Sequence, residues 1–287
     1  MDEDDFEKRA EMLSPCDLCN NSTDFLPLPG DPSGKISICG QCGFVLVRER
    51  RSVAEIALAW DEIYRSGHYD PDWPGVKARL FYVAEWLDAQ IGLAGRSVLD
   101  IGAGNGNFLG EARNRGAHPV GLDPSVDNCR KIRNRDIHCF QGFASDDSPS
   151  IGQYDIVSLN WTLENCGDAL AVLRYAKRCL APGGHVVVAT GSRILVPFKK
   201  PLSSYLPQDV NYPHDTHCYR WSYETLSDAF FHVGMLNMAP DTNDFEQRDE
   251  MVVAFSVHEM TMKGLAWPRH APFEVRDYFK RWETCFP

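Results

Sequence analysis

Four of the ten cysteines fall in two C-x2-C steps, Cys16 with Cys19 in "CDLC" and Cys39 with Cys42 in "CGQC". Two tight knuckles joined by a turn-rich hairpin bring four thiolates together tetrahedrally, the donor set of a structural zinc ion. Gly40 and Gly43 give such knuckles a permissive backbone, and "PLPGDPSGK" reads as the turn-rich hairpin end between them. Disulfide pairing of the same cysteines would need an oxidising compartment, and the acidic start "MDEDDFEKRA" is the opposite of the positive n-region of an export signal. With four sulfur ligands and no open position, the expected zinc folds a ribbon over residues 13–48 and does no chemistry itself. Cys129, Cys139, Cys166, Cys179, Cys218 and Cys285 are expected as free thiols.

A second constellation is "SVLDIGAGNGNFLGEA" at residues 97–112. Val98, Leu99 and Ile101 predict a short buried strand, Gly102, Gly104 and Gly106 a turn, and Asn107 onward a helix. The spacing is not that of the dinucleotide fingerprint, and Asp100 stands two residues before the first glycine. A pyrophosphate wants backbone amides and no nearby carboxylate, whereas the cationic amino group and sulfonium of S-adenosylmethionine suit a strand-end acid. Further on, "PVGLDPS" ends a second strand at Asp123, placed to accept hydrogen bonds from both hydroxyls of a ribose.

The third is "YPHDTHCYRWS", which puts His214 and His217 three apart with Asp215 between them. The pair lies in a long connection, residues 191–220, between a fifth strand and the next helix, where open α/β sheets carry lids and ligand-binding loops. Three roles suit these imidazoles: general base for an acceptor hydroxyl, part of a metal site with a third ligand, or capping and packing within the lid. Arg193, Lys199 and Lys200 form the basic cluster of the same lid and could meet a phosphate.

These groups need a scaffold, and the chain alternates as an α/β fold does. "IHCFQG" and "YDIVSLN" read as third and fourth strands, "ALAVLRYAKRCL" as a helix and "APGGHVVVAT" as a turn into a fifth strand. A helix from about Ser222 and strands near 235–239 and 251–257 complete a seven-stranded, Rossmann-like sheet. Ahead of it, Ser52 and Glu55 form a capping box for a helix reaching about Ser66, with Ile56, Ala59, Trp60 and Ile63 on one face. Pro74 opens another helix carrying Val76, Leu80, Val83, Leu87 and Ile91 at helical spacing. The expected organisation is a zinc ribbon at 13–48, linker and cap helices at 49–95, a core at 96–258 with its lid, and a tail at 259–287 that could add a helix to the core or a contact between two copies.

"VLDIGAGNG", "VGLD", "YDIVSLNWTLEN" and "LAPGGHVVV" resemble the serial motifs of class I S-adenosylmethionine-dependent methyltransferases, and the whole chain resembles the bacterial members that carry an N-terminal zinc ribbon and methylate sugars or other small molecules. The resemblance implies S-adenosylmethionine and a structural zinc as cofactors. It places Asp100, Gly102, Gly104 and Gly106 around the methionine and ribose, Asp123 on the ribose, Phe143 and Ala144 beside adenine, and Asn160 to Thr162 near the sulfonium. One departure stands out: relatives often have Leu-Glu-His after the fourth strand, where this chain has Leu163, Glu164 and Asn165. Tyr64, His68 and Tyr69 precede the core as cofactor-closing tyrosines do in relatives; Tyr64, Tyr69, Glu164 and Lys199 are candidate substrate contacts. The implied reaction is methyl transfer to a small-molecule hydroxyl, with His217 preferred to His214 as base. Two alternatives are an RNA methyltransferase using the ribbon, and an adaptor whose methyltransferase fold is relict. A net charge of -11 disfavours a polyanionic partner, "RERR" at 48–51 being the ribbon's basic stretch. With no apolar run long enough for a bilayer, a cytoplasmic location is expected.

Overall fold

The computed structural model describes residues 13–31, 33–50, 52–67, 70–191, 217–237, 250–257 and 271–285. His214, Tyr69, His68, Arg193, Lys199 and Lys200 lie outside the described residues.

The chain opens with three short strands, β1 (Phe25–Pro27), β2 (Ile36–Cys39) and β3 (Val45–Val47), and two helices, α1 (Val53–Ser66) and α2 (Pro74–Gln90). Local chemistry sets the helix starts. Ser52 Oγ accepts from the Glu55 amide while the Glu55 carboxylate accepts from the Ser52 amide at 2.7 Å, and Pro74 occupies the first turn of α2. Val76, Val83, Ala84, Trp86 and Leu87 of α2 are buried, with Leu80 and Ile91 packed beside them.

The core then alternates: β4 (Ser97–Ile101), α3 (Asn107–Asn114), β5 (His118–Asp123), α4 (Val126–Arg133), β6 (His138–Gln141), β7 (Tyr154–Asn160), a 3-10 turn (Leu163–Asn165), α5 (Ala169–Arg178) and β8 (Leu180–Gly191). At the end of the lid connection comes β9 (Tyr219–Arg220), followed by α6 (Tyr223–His232), β10 (Met235–Asn237), β11 (Glu250–Val257) and α7 (Pro272–Cys285). The seven-stranded sheet has the order β10-β11-β8-β7-β4-β5-β6. Neighbours from β6 to β8 pair in parallel, and β11 runs antiparallel to β8. Side-chain alternation splits its core into two layers: Leu99, Ile101, Val157, Leu159, Val186 and Val188 face one way, Val98, Ile156, Val187 and Ala189 the other. The expected seven-stranded fold is therefore observed. Because β4 is flanked by β5 on one side and β7 on the other, the chain reverses its strand order there, and the crevice at the carboxyl ends of these strands is where such sheets bind ligands.

The ribbon is less separate than an appended unit would be. Its sheet has four strands, β1-β2-β3-β9, the last delivered by the final residues of the lid connection, with Val45 opposite Arg220 and Leu46 opposite Tyr219. Alternation gives this small sheet two apolar faces. Cys39, Phe44 and Leu46 join the cluster that continues under the large sheet, whereas Ile36, Ile38 and Val45 pack against Val275, Phe279 and Trp282 of α7. Helix α7 of the tail thus packs on the ribbon and not on the core sheet to which it was expected to add. Two arginines of "RERR" serve the ribbon itself: Arg48 donates to the carbonyls of Ser14 and Ser22 and lies over the Phe25 ring, and Arg50 is buried against Asp17. Among the described residues, no helix is long and apolar enough to cross a membrane.

Candidate active site

A cavity of about 540 Å³ opens at the carboxyl ends of β4, β5 and β7. Two buried acids anchor one end. Asp100, 2% exposed, accepts from Ser158 Oγ at 2.8 Å and from Asn160 Nδ2 at 2.9 Å, both on Oδ1. Burial pushes its carboxyl up to about 7. Asp123 accepts from the Gly104 amide at 2.8 Å, the Ser125 amide at 2.9 Å and Asn128 Nδ2 at 3.2 Å, and burial raises it to about 6. The glycine loop is thereby tied to the acid of the neighbouring strand.

The loop glycines divide by role. Gly102 has φ 72°, and a Cβ there would lie 2.4 Å from Thr162 Oγ1. Gly104 has φ 55°, with the Tyr64 hydroxyl close by. Gly106 has φ 80° and faces Ile132 of α4; it caps α3 and is not among the described residues lining the cavity. Its glycine serves the close approach of loop to helix. Phe143 and Ala144 line the cavity, Phe143 40% exposed, as does Tyr64 on α1.

Residues after β7 shape the middle. Trp161 has φ 50°, unusual for a bulky residue, and its amide donates to the Ala189 carbonyl at 2.7 Å. The Arg79 guanidinium stands 4.5 Å from its ring centre. Asn165, the residue standing where relatives often have histidine, donates from Nδ2 to the Trp161 carbonyl at 3.0 Å and so braces this strained turn.

Glu164, His217, Tyr219 and Arg220 also line the cavity. Glu164 is buried, not a solvated strand-end acid; it accepts from Thr190 Oγ1 at 2.8 Å. Burial raises its pKa, and the charge of His217 opposes that rise. His217 is half-buried, and its carbonyl accepts from Arg220 Nη1 at 2.7 Å. The helix that follows is capped by Ser222, whose Oγ accepts from the Thr225 amide at 3.2 Å, so His217 is not needed as its cap. Asn128 and Arg79 lay outside the motifs, and Ser158, Tyr219 and Arg220 lay within quoted stretches without being assigned a role. Asn128 alone had a local signal, its place in the turn of helix following Ser125.

The cavity's donors and acceptors fit S-adenosylmethionine. Asn160 Oδ1 is a buried acceptor with no hydrogen-bond partner among the described residues, on the side chain that holds Asp100. An ammonium is the donor that this oxygen and the Asp100 carboxylate lack, and Asp123 beside the loop suits paired ribose hydroxyls. The ribbon's donor set fits zinc: the four sulfurs of Cys16, Cys19, Cys39 and Cys42 lie within 4.8 Å of one another, as ligands at about 2.3 Å from one ion must. Cys16 Sγ lies 3.5 Å from Cys42 Sγ and Cys19 Sγ 3.4 Å from Cys39 Sγ, and Asn21 Nδ2 donates to Cys39 Sγ at 3.4 Å.

Comparison with known proteins agrees with this geometry. A family model described as a methyltransferase domain matches residues 76–237, more than half of the chain. A ubiquinone biosynthesis O-methyltransferase of Pseudomonas aeruginosa is 32% identical over 118 residues, 38% of this chain and 50% of that protein. The counterpart in Vibrio parahaemolyticus is 30% identical over 152 residues, 50% of this chain and 63% of its own. The chain thus spans about half the length of the curated relatives it matches. Among solved structures, Burkholderia thailandensis 1,6-didemethyltoxoflavin-N1-methyltransferase superposes with a TM-score of 0.55 at 14% identity, over 76% of this chain and 96% of that one. Magnesium protoporphyrin IX methyltransferase of Synechocystis, with bound S-adenosylhomocysteine, gives 0.52 at 14%, over 71% and 97%. These likenesses speak to the fold, and the match of the family model, on a chain whose acids and glycines stand at the carboxyl end of the sheet, shows that the protein belongs to the methyltransferase-domain family.

Proposed function

We propose that the protein catalyses S-adenosylmethionine-dependent methylation of a hydroxyl on a small-molecule acceptor. The observation that carries the reading is the Asn160 Oδ1, without a partner among the described residues, beside the buried Asp100 carboxylate, in a cavity that His217 and Glu164 also line. When bound, S-adenosylmethionine supplies a methyl group already activated by its sulfonium. Asp100 and Asn160 would hold the cofactor's ammonium, Asp123 its ribose hydroxyls, and Phe143 and Ala144 its adenine. The chain's remaining task is alignment: the acceptor oxygen must stand within about 3–3.5 Å of the methyl carbon, in line with the bond that breaks. His217 takes the acceptor's proton as the new carbon–oxygen bond forms, and Glu164, whose carboxylate feels the charge of His217, stabilises the imidazolium.

The acceptor is a ring bearing a hydroxyl. Trp60, Tyr64, Leu80 and Trp161 line the cavity and suit either the apolar face of a sugar or a planar aromatic ring. The O-methyltransferase names of the curated relatives support an oxygen as the atom methylated. A structural zinc on the four ribbon cysteines completes the cofactors. The test is a panel of nucleotide sugars, free sugars, phenols, amines and thiols incubated with S-adenosylmethionine, with formation of S-adenosylhomocysteine and of a product heavier by one methylene read by mass spectrometry. Methylation of a hydroxyl acceptor that His217→Ala slows supports the reading; methylation confined to amines or thiols, or unaffected by that substitution, defeats it.

A further inference from the structure

One buried node joins the metal knuckle to the acceptor end of the cavity. Asp17, between Cys16 and Cys19, forms a bidentate pair with Arg50, the Nη1 to Oδ1 bond being 2.8 Å; the two side chains are only 10% and 8% exposed. Arg50 Nη1 also donates to the Tyr219 hydroxyl at 2.6 Å and to the Gly167 carbonyl at 3.0 Å. The Tyr219 hydroxyl reaches Asp17 Oδ1 at 3.0 Å and accepts from the Ala169 amide, the first residue of α5, at 3.3 Å. Gly167 and Tyr219 line the cavity, and Tyr219 lies two residues beyond His217.

The backbone adds a second link. The Val47 amide donates to the Cys218 carbonyl at 2.8 Å, extending the β3 to β9 ladder to the residue next to His217. Phe44, two residues after Cys42, stacks on Tyr219 at 5.7 Å and packs on Trp221 at 4.8 Å. An isolated buried ion pair adds little stability because desolvation offsets its attraction. Here it joins knuckle, strand and helix start, and so specifies their relative position.

We propose that the metal-bearing ribbon is a positioning device for the acceptor side of the active site: Asp17 and Arg50, acting through Tyr219 and the β3 to β9 ladder, set the place of His217, and metal loading governs that place without governing cofactor binding. Asp17 and Arg50 are positioning residues, since neither lines the cavity. This rests on the reading of His217 as the base.

The experiment uses the full chain as wild type, wild type stripped by a chelator, Asp17→Asn and Tyr219→Phe. Three quantities are measured: zinc content, affinity for S-adenosylhomocysteine by calorimetry, and the rate at which diethyl pyrocarbonate modifies His217, mapped by peptide mass spectrometry. Tyr219→Phe removes one hydroxyl and leaves the thiols untouched, so it decides the matter should Asp17→Asn lose metal. The expected result is a His217 modification rate raised about fivefold or more in Tyr219→Phe and in stripped wild type, the scale of one lost hydrogen bond, with cofactor affinity within about threefold of wild type. An unchanged His217 rate in both overturns the proposal. So does a parallel collapse of cofactor affinity, which would make the node a support of the whole core. Failure of untreated wild type to bind S-adenosylhomocysteine would instead sink the cofactor reading, while the His217 rates would still decide the positioning claim.

Discussion

Asp100→Asn should make the protein more stable and less able to bind its cofactor. The wild-type carboxyl is raised from 3.8 to about 7 because it is buried, with only Ser158 and Asn160 donating to it. Folding therefore holds a proton that the unfolded chain gives up, so stability falls as pH rises through the window between those two values and the penalty is complete above it. A shift of about three units corresponds to about 4 kcal/mol. The amide is isosteric, its oxygen can keep both hydrogen bonds at the Oδ1 position, and it does not ionise. Urea denaturation at about pH 8 should show the variant about 2–4 kcal/mol more stable with an unchanged m value, and the difference should vanish towards about pH 4. Calorimetry should show S-adenosylmethionine affinity lowered at least about tenfold, since the ammonium loses its carboxylate. A variant less stable than wild type at the higher pH, or a difference that does not shrink with acid, would refute the reasoning.

Gly102→Ala places a Cβ 2.4 Å from Thr162 Oγ1 at φ 72°, so it should cost about 2–3 kcal/mol and weaken cofactor binding together, read by denaturation and calorimetry. His217→Ala should lower kcat about 100-fold or more while leaving cofactor affinity within about threefold, measured by product formation once an acceptor is found. Trp282→Ala, at a fully buried position between α7 and the ribbon sheet, should destabilise by about 3–5 kcal/mol, with melting in the presence of a chelator lowered in wild type and variant alike. Cofactor affinity in wild type should fall as pH drops through about 7, because protonation of Asp100 removes the charge that holds the ammonium.

What was legible in the sequence was local. Ser52 with Glu55, Pro74 and Ser222 announced helix starts because a cap is satisfied within four residues. Asp100, the glycine loop and Asp123 were legible because a strand, a turn and the next strand's acid keep their order wherever the sheet folds this way. Spacing could not say which glycine serves the ligand and which serves packing: Gly106 answers to Ile132, a contact across sequence. Nor could it show β9, two residues long and without periodicity, whose partner Val45 lies far back in the chain. Whether Glu164 faced a ligand or solvent could not be read, because nothing local reveals that the 3-10 turn folds it under Thr190. A helix in the tail was one of two expectations, but its partner, the outer face of the ribbon, appears only once Ile36, Ile38 and Val45 are seen to share that face.

The central claim is that the crevice at β4, β5 and β7 binds S-adenosylmethionine through Asp100, Asn160 and Asp123. Isothermal titration of the full chain with S-adenosylmethionine, beside Asp123→Ala, tests it most directly. The account predicts one site per chain with a dissociation constant between about 1 µM and 1 mM, weakened at least about tenfold by the substitution. No binding at millimolar cofactor, or binding that Asp123→Ala leaves unchanged, would contradict it.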